Sequence, residues 1–358
     1  MKKFRKILLV VIVGTLLFSL FSFIYADVEK YGQKNTFYNY PITPDMAEWE
    51  LFTSGAEMAT ACEIPEEILS ELSTEDVLQL ILEYPMLPCV AAYDDIQKGF
   101  EMVMGSFNGT KELFQRKDAV NVLIKTYDNF NLENNQNIVY GINRGGYMLD
   151  VLELLLCQNE ILEKCTIQQI DKISEIAIDK QIMKEQSSVY AGRLAKTNIL
   201  SYESLVSGYR TAVQTPRGTD VMVYCGPEQL SEEDMINMFY QMRELFPNAM
   251  HIGGATSCFN CHSYAWYSIS PDNPYWMDDP SPYWEDGSYV LTGTYEFGDK
   301  LVYFEGSSPI HSAYITVSGS GIPSEVASKW GSYGVYRHAP GYDPYYSATS
   351  YSKYTLNS

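Results

Sequence analysis

Near Thr215 the spacing of apolar residues switches from a helical to an extended period, so one repeating architecture cannot accommodate the whole chain. From about Asp45 to Ser204 apolar side chains recur three and four positions apart. Leu113, Val120, Leu123, Ile124 and Tyr127 form one such set, and Ile167, Ile170, Ile173, Ala177 and Ile178 another. Ser73-Thr74-Glu75-Asp76 and Thr166–Gln169 have the pattern of helix starts, in which a hydroxyl accepts the N–H three residues on and that residue's side chain reaches back. The Asn-rich stretch Asn129 to Asn143 reads as a long surface loop. After the turn Pro216-Arg217-Gly218, Val221 to Tyr224 is expected as a strand and Ser231 as the cap of a helix running to Phe246. Beyond Pro247, short alternating runs at Tyr289–Leu291, Leu301–Phe304, Ile310–Val317 and Glu325–Trp330 predict strands. The expected fold class is therefore α+β. It has an extended lead-in at 27–44, an all-α region at 45–204, an α+β domain with a small antiparallel sheet at 215–345, and a tail at 346–358.

Residues 1–26 have the composition of an export signal or N-terminal anchor. Lys2, Lys3, Arg5 and Lys6 precede an apolar run from Ile7, and Ala26 ends a candidate cleavage site. The remainder is expected to be secreted or held at the cell surface, with membrane contact only through an uncleaved leader. The chain carries a formal charge of −20, and without the four leader bases the exported part stands near −24. Such an acidic surface excludes a nucleic-acid groove, which needs clustered Lys and Arg. Seven cysteines, at 62, 89, 157, 165, 225, 258 and 261, are an odd number, so at least one is left out of any set of bridges.

All four histidines (251, 262, 311 and 338) lie in the last 108 residues, which concentrates the side chain that titrates near neutrality in one region. Within it, Asn260-Cys261-His262-Ser263-Tyr264-Ala265-Trp266 opens a short helical stretch. If Asn260 is the N-cap, Cys261 sits in the first turn, where unpaired N–H groups favour an anion and lower a thiol pKa. The base for such a nucleophile is expected from another element. His262 neighbours Cys261 on the helix and points elsewhere, whereas His311 begins a strand on which His311, Ala313, Ile315 and Val317 share the inner face. A polar orienter for the imidazole is expected from the next strand. Ser328 serves in one register and Lys329 in the next, with His338 as another candidate.

The blocks Asn260–Trp266, Gly298-Asp299-Lys300-Leu301-Val302-Tyr303-Phe304 and His311-Ser312-Ala313-Tyr314-Ile315 resemble the successive motifs of NlpC-type peptidases and CHAP amidases. The resemblance covers roughly residues 215 to 345 and implies a papain-like domain, with a cysteine opening a helix packed on an antiparallel sheet and a histidine on a following strand. It further implies a cysteine peptidase or amidase acting on peptides of the cell-wall peptidoglycan. It makes Cys261 and His311 the catalytic pair and matches no third residue, a place for which Ser328 is taken from strand register with His338 or Lys329 as alternatives; no cofactor is expected. His262 departs from the pattern, because a small residue is common there, and the aromatic segment from Asn273 to Trp284 resembles an insertion. Tyr264, Trp276 and Trp284 are candidate substrate-binding rings.

Two rival readings use the same residues. Cys258-Phe259-Asn260-Cys261-His262 satisfies the C-x-x-C-H pattern of covalent haem attachment, although the strand-rich sequence that follows is unlike a helical cytochrome. A non-catalytic surface module that binds peptide or glycan through its aromatic segment is the other. Asp278-Asp279 and Glu285-Asp286 lack the spacing of a calcium loop, so no metal is expected.

Overall fold

The computed structural model describes residues 38–131, 138–139, 142–143, 145–186, 210–225 and 230–357. The expected leader at 1–26, most of the lead-in, and the end of the helical region beyond Gln186 lie outside the described residues, as does part of the Asn129–Asn143 stretch. Tyr40–Ser358 forms one compact unit of mixed α+β structure.

Local chemistry accounts for the helices. Ser73 accepts the N–H of Asp76, whose carboxylate returns to the Ser73 N–H, and this capping box opens Thr74–Leu82. Thr166 caps Ile167–Gln186 through the Gln169 N–H, and Ser231 caps Glu232–Leu245 through the Asp234 N–H. The expected loop at Asn129–Asn143 contains a short antiparallel pair, Ile138–Val139 with Ile142–Asn143.

The expected small sheet has seven strands. In chain order they are β1 (Met250–Gly253), β2 (Tyr289–Leu291), β3 (Lys300–Glu305), β4 (Ser308–Ile315), β5 (Val326–Lys329), β6 (Val335–His338) and β7 (Ser350–Leu356). They lie side by side in the order β1-β6-β5-β4-β3-β7-β2, and every pairing is antiparallel. The expected C-terminal tail is thus corrected: β7 pairs with β3 and β2, and Tyr354 is buried at 6% exposure. Its alternating Tyr351, Lys353 and Thr355 mask a strand whose N–H and C=O groups are used on both sides. A separate three-stranded sheet joins Arg210–Gln214, Asp220–Cys225 and Tyr275–Trp276.

Two faces of the large sheet follow from its register. His311 pairs with Tyr303 and Ser312 with Val302, so the side chains of His311 and Ser312 leave the sheet on opposite sides. The Ser312 face carries Val302, Ala327 and Val335 and is covered by the helix Cys261–Trp266. The His311 face carries Tyr303, Trp330 and Tyr336, and the helical region closes over it. Tyr333 Oη donates to the Pro88 carbonyl at 3.0 Å and Tyr345 Oη to that of Ala92 at 2.6 Å, while Trp49 Nε1 donates to the carbonyl of Leu245 at 2.9 Å. The two regions expected as separate domains share this core, because each leaves an apolar face that only the other covers.

Candidate functional site

Asn260 is the N-cap of Cys261–Trp266, and its side-chain amide is fully engaged. Its Oδ1 accepts from the N–H of Ser263 and of Met277, and its Nδ2 donates to Asp94 Oδ2 at 2.7 Å and to the Met277 carbonyl at 2.7 Å. This fixes the first turn and brings in a carboxylate from 166 residues earlier in the chain. Cys261 lies in that turn as the sequence predicts, fully buried.

The sulfur reaches the seam between β4 and β5. Those strands pair only at Tyr314 with Ala327 and at Ile315 with Val326; toward residue 312 the ladder opens. The backbone N–H groups of Ser312 and His262 lie near enough to Cys261 Sγ to favour its thiolate form. Around the sulfur stand Asp94, His262 and Lys329. Donor atoms of Asp94, Cys261 and His262 all lie within 4.8 Å of one another. His262 Nδ1 meets Ser312 Oγ at 2.8 Å, Trp266 Nε1 donates to the same oxygen at 2.9 Å, and His262 Nε2 lies 4.0 Å from Asp94 Oδ2. The expectation that His262 points away from the nucleophile is corrected: Ser312 anchors one side of the ring and thereby turns the other toward the cluster.

His311 arrives at the same seam but on the other sheet face. Its ring stacks on Tyr345 with centroids 3.7 Å apart and meets the edge of Tyr303. Neither ring nitrogen has a hydrogen-bond partner, although the residue is fully buried. It is therefore not hydrogen-bonded to Cys261. Ser328, the expected orienter, is also placed differently. Continuing the β4–β5 register puts Ser328 opposite Ala313, and its hydroxyl bonds to His338 Nε2 at 2.7 Å and accepts from Trp330 Nε1 at 3.0 Å. His338 Nδ1 donates to the Ala339 carbonyl at 2.9 Å, with Asp343 Oδ2 3.6 Å away. Ser328 and His338 thus partner each other. Lys329 faces the opposite way, toward Cys261, and donates to the carbonyls of Thr256 and Gly331.

Burial dominates the electrostatics. It pushes the Cys261 thiol well above its ordinary range, and the nearby Asp94 carboxylate adds to this; the Ser312 and His262 N–H groups and Lys329 pull the other way without reversing it. The expected lowering of the thiol by the helix start is overridden, because the helix has only six residues and the sulfur has no water. Burial likewise raises the Asp94 carboxyl to about 7 against the Asn260 hydrogen bond, and lowers Lys329 to about 7 and His262 to about 4. Asp94 is the member of the group that meets solvent, its side chain 22% exposed. Iodoacetamide at neutral pH is accordingly expected to modify the exposed Cys225 well before Cys261, as followed by peptide mass mapping. Preferential labelling of Cys261 would contradict the closed, protonated state.

The candidate substrate-binding rings act mainly as packing. Tyr264 and Trp276 are each 7% exposed, and Tyr264 stacks against Phe259. Trp284 is half-buried and stacks on Tyr354. Cys258 and Cys261 are free thiols rather than a bridge. Cys261 and His262 are packed inside the protein, which leaves the C-x-x-C-H segment no open face for a haem. Sequence reasoning missed Asp94, since nothing near Asp94-Asp95 marks it apart from the many surface acids. The chain matches no protein-family model, no curated protein and no solved structure.

Proposed function

We propose that this protein is an exported cysteine hydrolase of papain-like arrangement that cleaves amide bonds, with peptidoglycan stem peptides or similar short peptides as substrates. The observation that carries this reading is the cysteine in a first helical turn, pinned by Asn260, with an imidazole, a carboxyl and an amine gathered at its sulfur. The similarity of the Cys261 block to NlpC and CHAP motifs supports a cysteine nucleophile, while the histidine of the matching block, His311, lies on the other sheet face.

His262 is the imidazole beside the nucleophile, with its donor nitrogen and the Cys261 sulfur within 4.8 Å of one another. With its Nδ1 proton donated to Ser312 Oγ, Nε2 carries the lone pair that takes the Cys261 thiol proton. The thiolate then adds to the amide carbon, and the first-turn N–H of Cys261 supports the oxyanion. The C–N bond breaks as the proton on Nε2 passes to the departing amine, leaving an acyl-thioester. Water, deprotonated by the same nitrogen, adds to that ester and releases the acid, and the proton returns to sulfur. Lys329 in its ammonium form stabilises the thiolate, and Asp94 marks the side from which substrate enters.

His311 is favoured as the base in a second reading by its two unpartnered nitrogens, since a buried imidazole with no partner is costly. It would have to turn away from Tyr345 and through the open seam. Paired variants separate the two. His262→Ala is expected to abolish amine release from a stem-peptide fragment, whereas His311→Phe keeps the ring stack and retains turnover. The outcome reversed, with His311→Phe inactive and His262→Ala active, transfers the role to His311. His311→Phe is also expected to raise stability by about 1–3 kcal/mol at neutral pH, because it removes unpaired polar atoms. Burial, reinforced by His338 and His262, holds the His311 pKa well below 6.5, so only the unfolded chain takes up this proton below pH 6.5. The parent therefore loses about 1.4 kcal/mol per pH unit as pH falls through that region, and the variant lacks this contribution. Urea melts at pH 5 and pH 7 measure both effects.

A further inference from the structure

We propose that Asp94, Cys261 and His262 form a site for one zinc-class divalent cation. Their donor atoms, one sulfur, one nitrogen and one oxygen, already lie within 4.8 Å of one another. A tetrahedral zinc ion with bonds of roughly 2.0–2.3 Å needs its ligands about 3.3–3.7 Å apart, a contraction that small side-chain rotations supply. The donor set matches a borderline-soft metal better than calcium or magnesium, which take oxygen.

The surroundings are those of a built site. His262 has its Nδ1 on Ser312 Oγ at 2.8 Å, and that oxygen is itself held by Trp266 Nε1, which orients the other ring nitrogen toward the cluster. Asp94 Oδ2 is held by Asn260 Nδ2, and Asn260 is pinned by Met277. Outer partners of this type fix ligand orientation at metal centres. Three protein donors leave a fourth position, on the solvent side where Asp94 is exposed. Lys329 Nζ, on the same sheet face, is occupied by the carbonyls of Thr256 and Gly331. Binding exchanges the thiol proton for the metal: Cys261 releases H⁺ to solvent and its sulfur donates a lone pair to the cation.

The site stands on this geometry and does not need the hydrolase reading. One consequence does rest on it: a metal-bound sulfur cannot attack an amide, so the ion and the acyl chemistry exclude each other.

The test is anaerobic titration of the metal-free full chain with Co²⁺, read by the thiolate-to-cobalt charge-transfer band and the ligand-field bands of a tetrahedral ion. The expected result is one equivalent bound, with Zn²⁺ displacing the colour. Cys261→Ala and His262→Ala lose the band, and His311→Phe and Cys258→Ala keep it. Ser312→Ala leaves all three ligands in place and is expected to weaken binding by roughly 10–100-fold, which a merely adventitious thiol complex would not show. A folded protein that develops no band, or a band that survives in Cys261→Ala, overturns the proposal. A protein that develops the band on titration but shows no hydrolytic turnover when metal-free removes the hydrolase reading and leaves the site; turnover of the metal-free protein with no band on titration does the reverse.

Discussion

Cys261→Ala is expected to eliminate amide hydrolysis, with a fall in turnover on the order of 10⁵-fold or more, because it removes the sulfur on which the acyl intermediate forms. The fold should persist. Removing one buried sulfur costs about 1 kcal/mol or slightly more, the range of a small cavity. Far-ultraviolet circular dichroism and a urea melt establish that the variant is folded, and amine release from a stem-peptide fragment establishes its activity. A folded variant within tenfold of the parent would falsify the proposed mechanism. If the parent shows no turnover and both proteins bind cell-wall fragments equally, the protein is instead a binding module. The buried sulfur makes this contrast informative: burial holds the thiol protonated at rest, so any activity requires opening on the Asp94 side to precede ionisation.

The largest stability effect is expected in the helical region, at Glu153. Lys184 Nζ, on the helix Ile167–Gln186, lies 2.8 Å from Glu153 Oε2 and 3.0 Å from Asp150 Oδ1 on the helix Gly145–Leu156. Glu153 and the Lys184 side chain have no exposure, and Tyr127 Oη donates to Glu153 Oε1 at 3.1 Å. Glu153→Leu removes the wholly buried carboxylate while the ammonium stays inside, and is expected to cost about 3–5 kcal/mol in urea unfolding. Glu153→Leu combined with Lys184→Met should recover most of that loss, since an apolar pair avoids desolvating two ions. A single variant as stable as the parent would show that the pair contributes nothing. Burial alone would lower the Lys184 pKa, but Asp150 and Glu153 outweigh it and the net direction is upward from 10.5. Because the folded state holds this proton more tightly, the stabilisation is fully present below pH 10.5 and fades as pH climbs above it. The double variant should lack that alkaline loss.

Much of the secondary structure was legible in local chemistry. Ser73, Thr166, Ser231 and Asn260 each carry a short oxygen-bearing side chain three residues before the N–H it accepts, and each opens a helix in the structure. Alternation located β3, β4 and β5, which carry the Lys300–Phe304, His311 and Ser328–Lys329 segments. It did not reveal β7, whose polar alternating residues read equally well as a solvated tail.

The sequence by itself determined that Cys261 would occupy a first helical turn and that His311 would lie on a strand, because caps and alternation act over a few residues. Only the tertiary structure decided what surrounds the sulfur. A one-residue choice of register between β4 and β5 turns Lys329 toward Cys261 and gives Ser328 to His338, and the parity of β4 sends Ser312 rather than His311 to the cysteine helix. Asp94 arrives from the helical region through a single side-chain bond to Asn260. The direction of the thiol pKa was settled the same way: the favourable field of a helix start is local, whereas the loss of water is imposed by every element packed around the site, and here the second is larger.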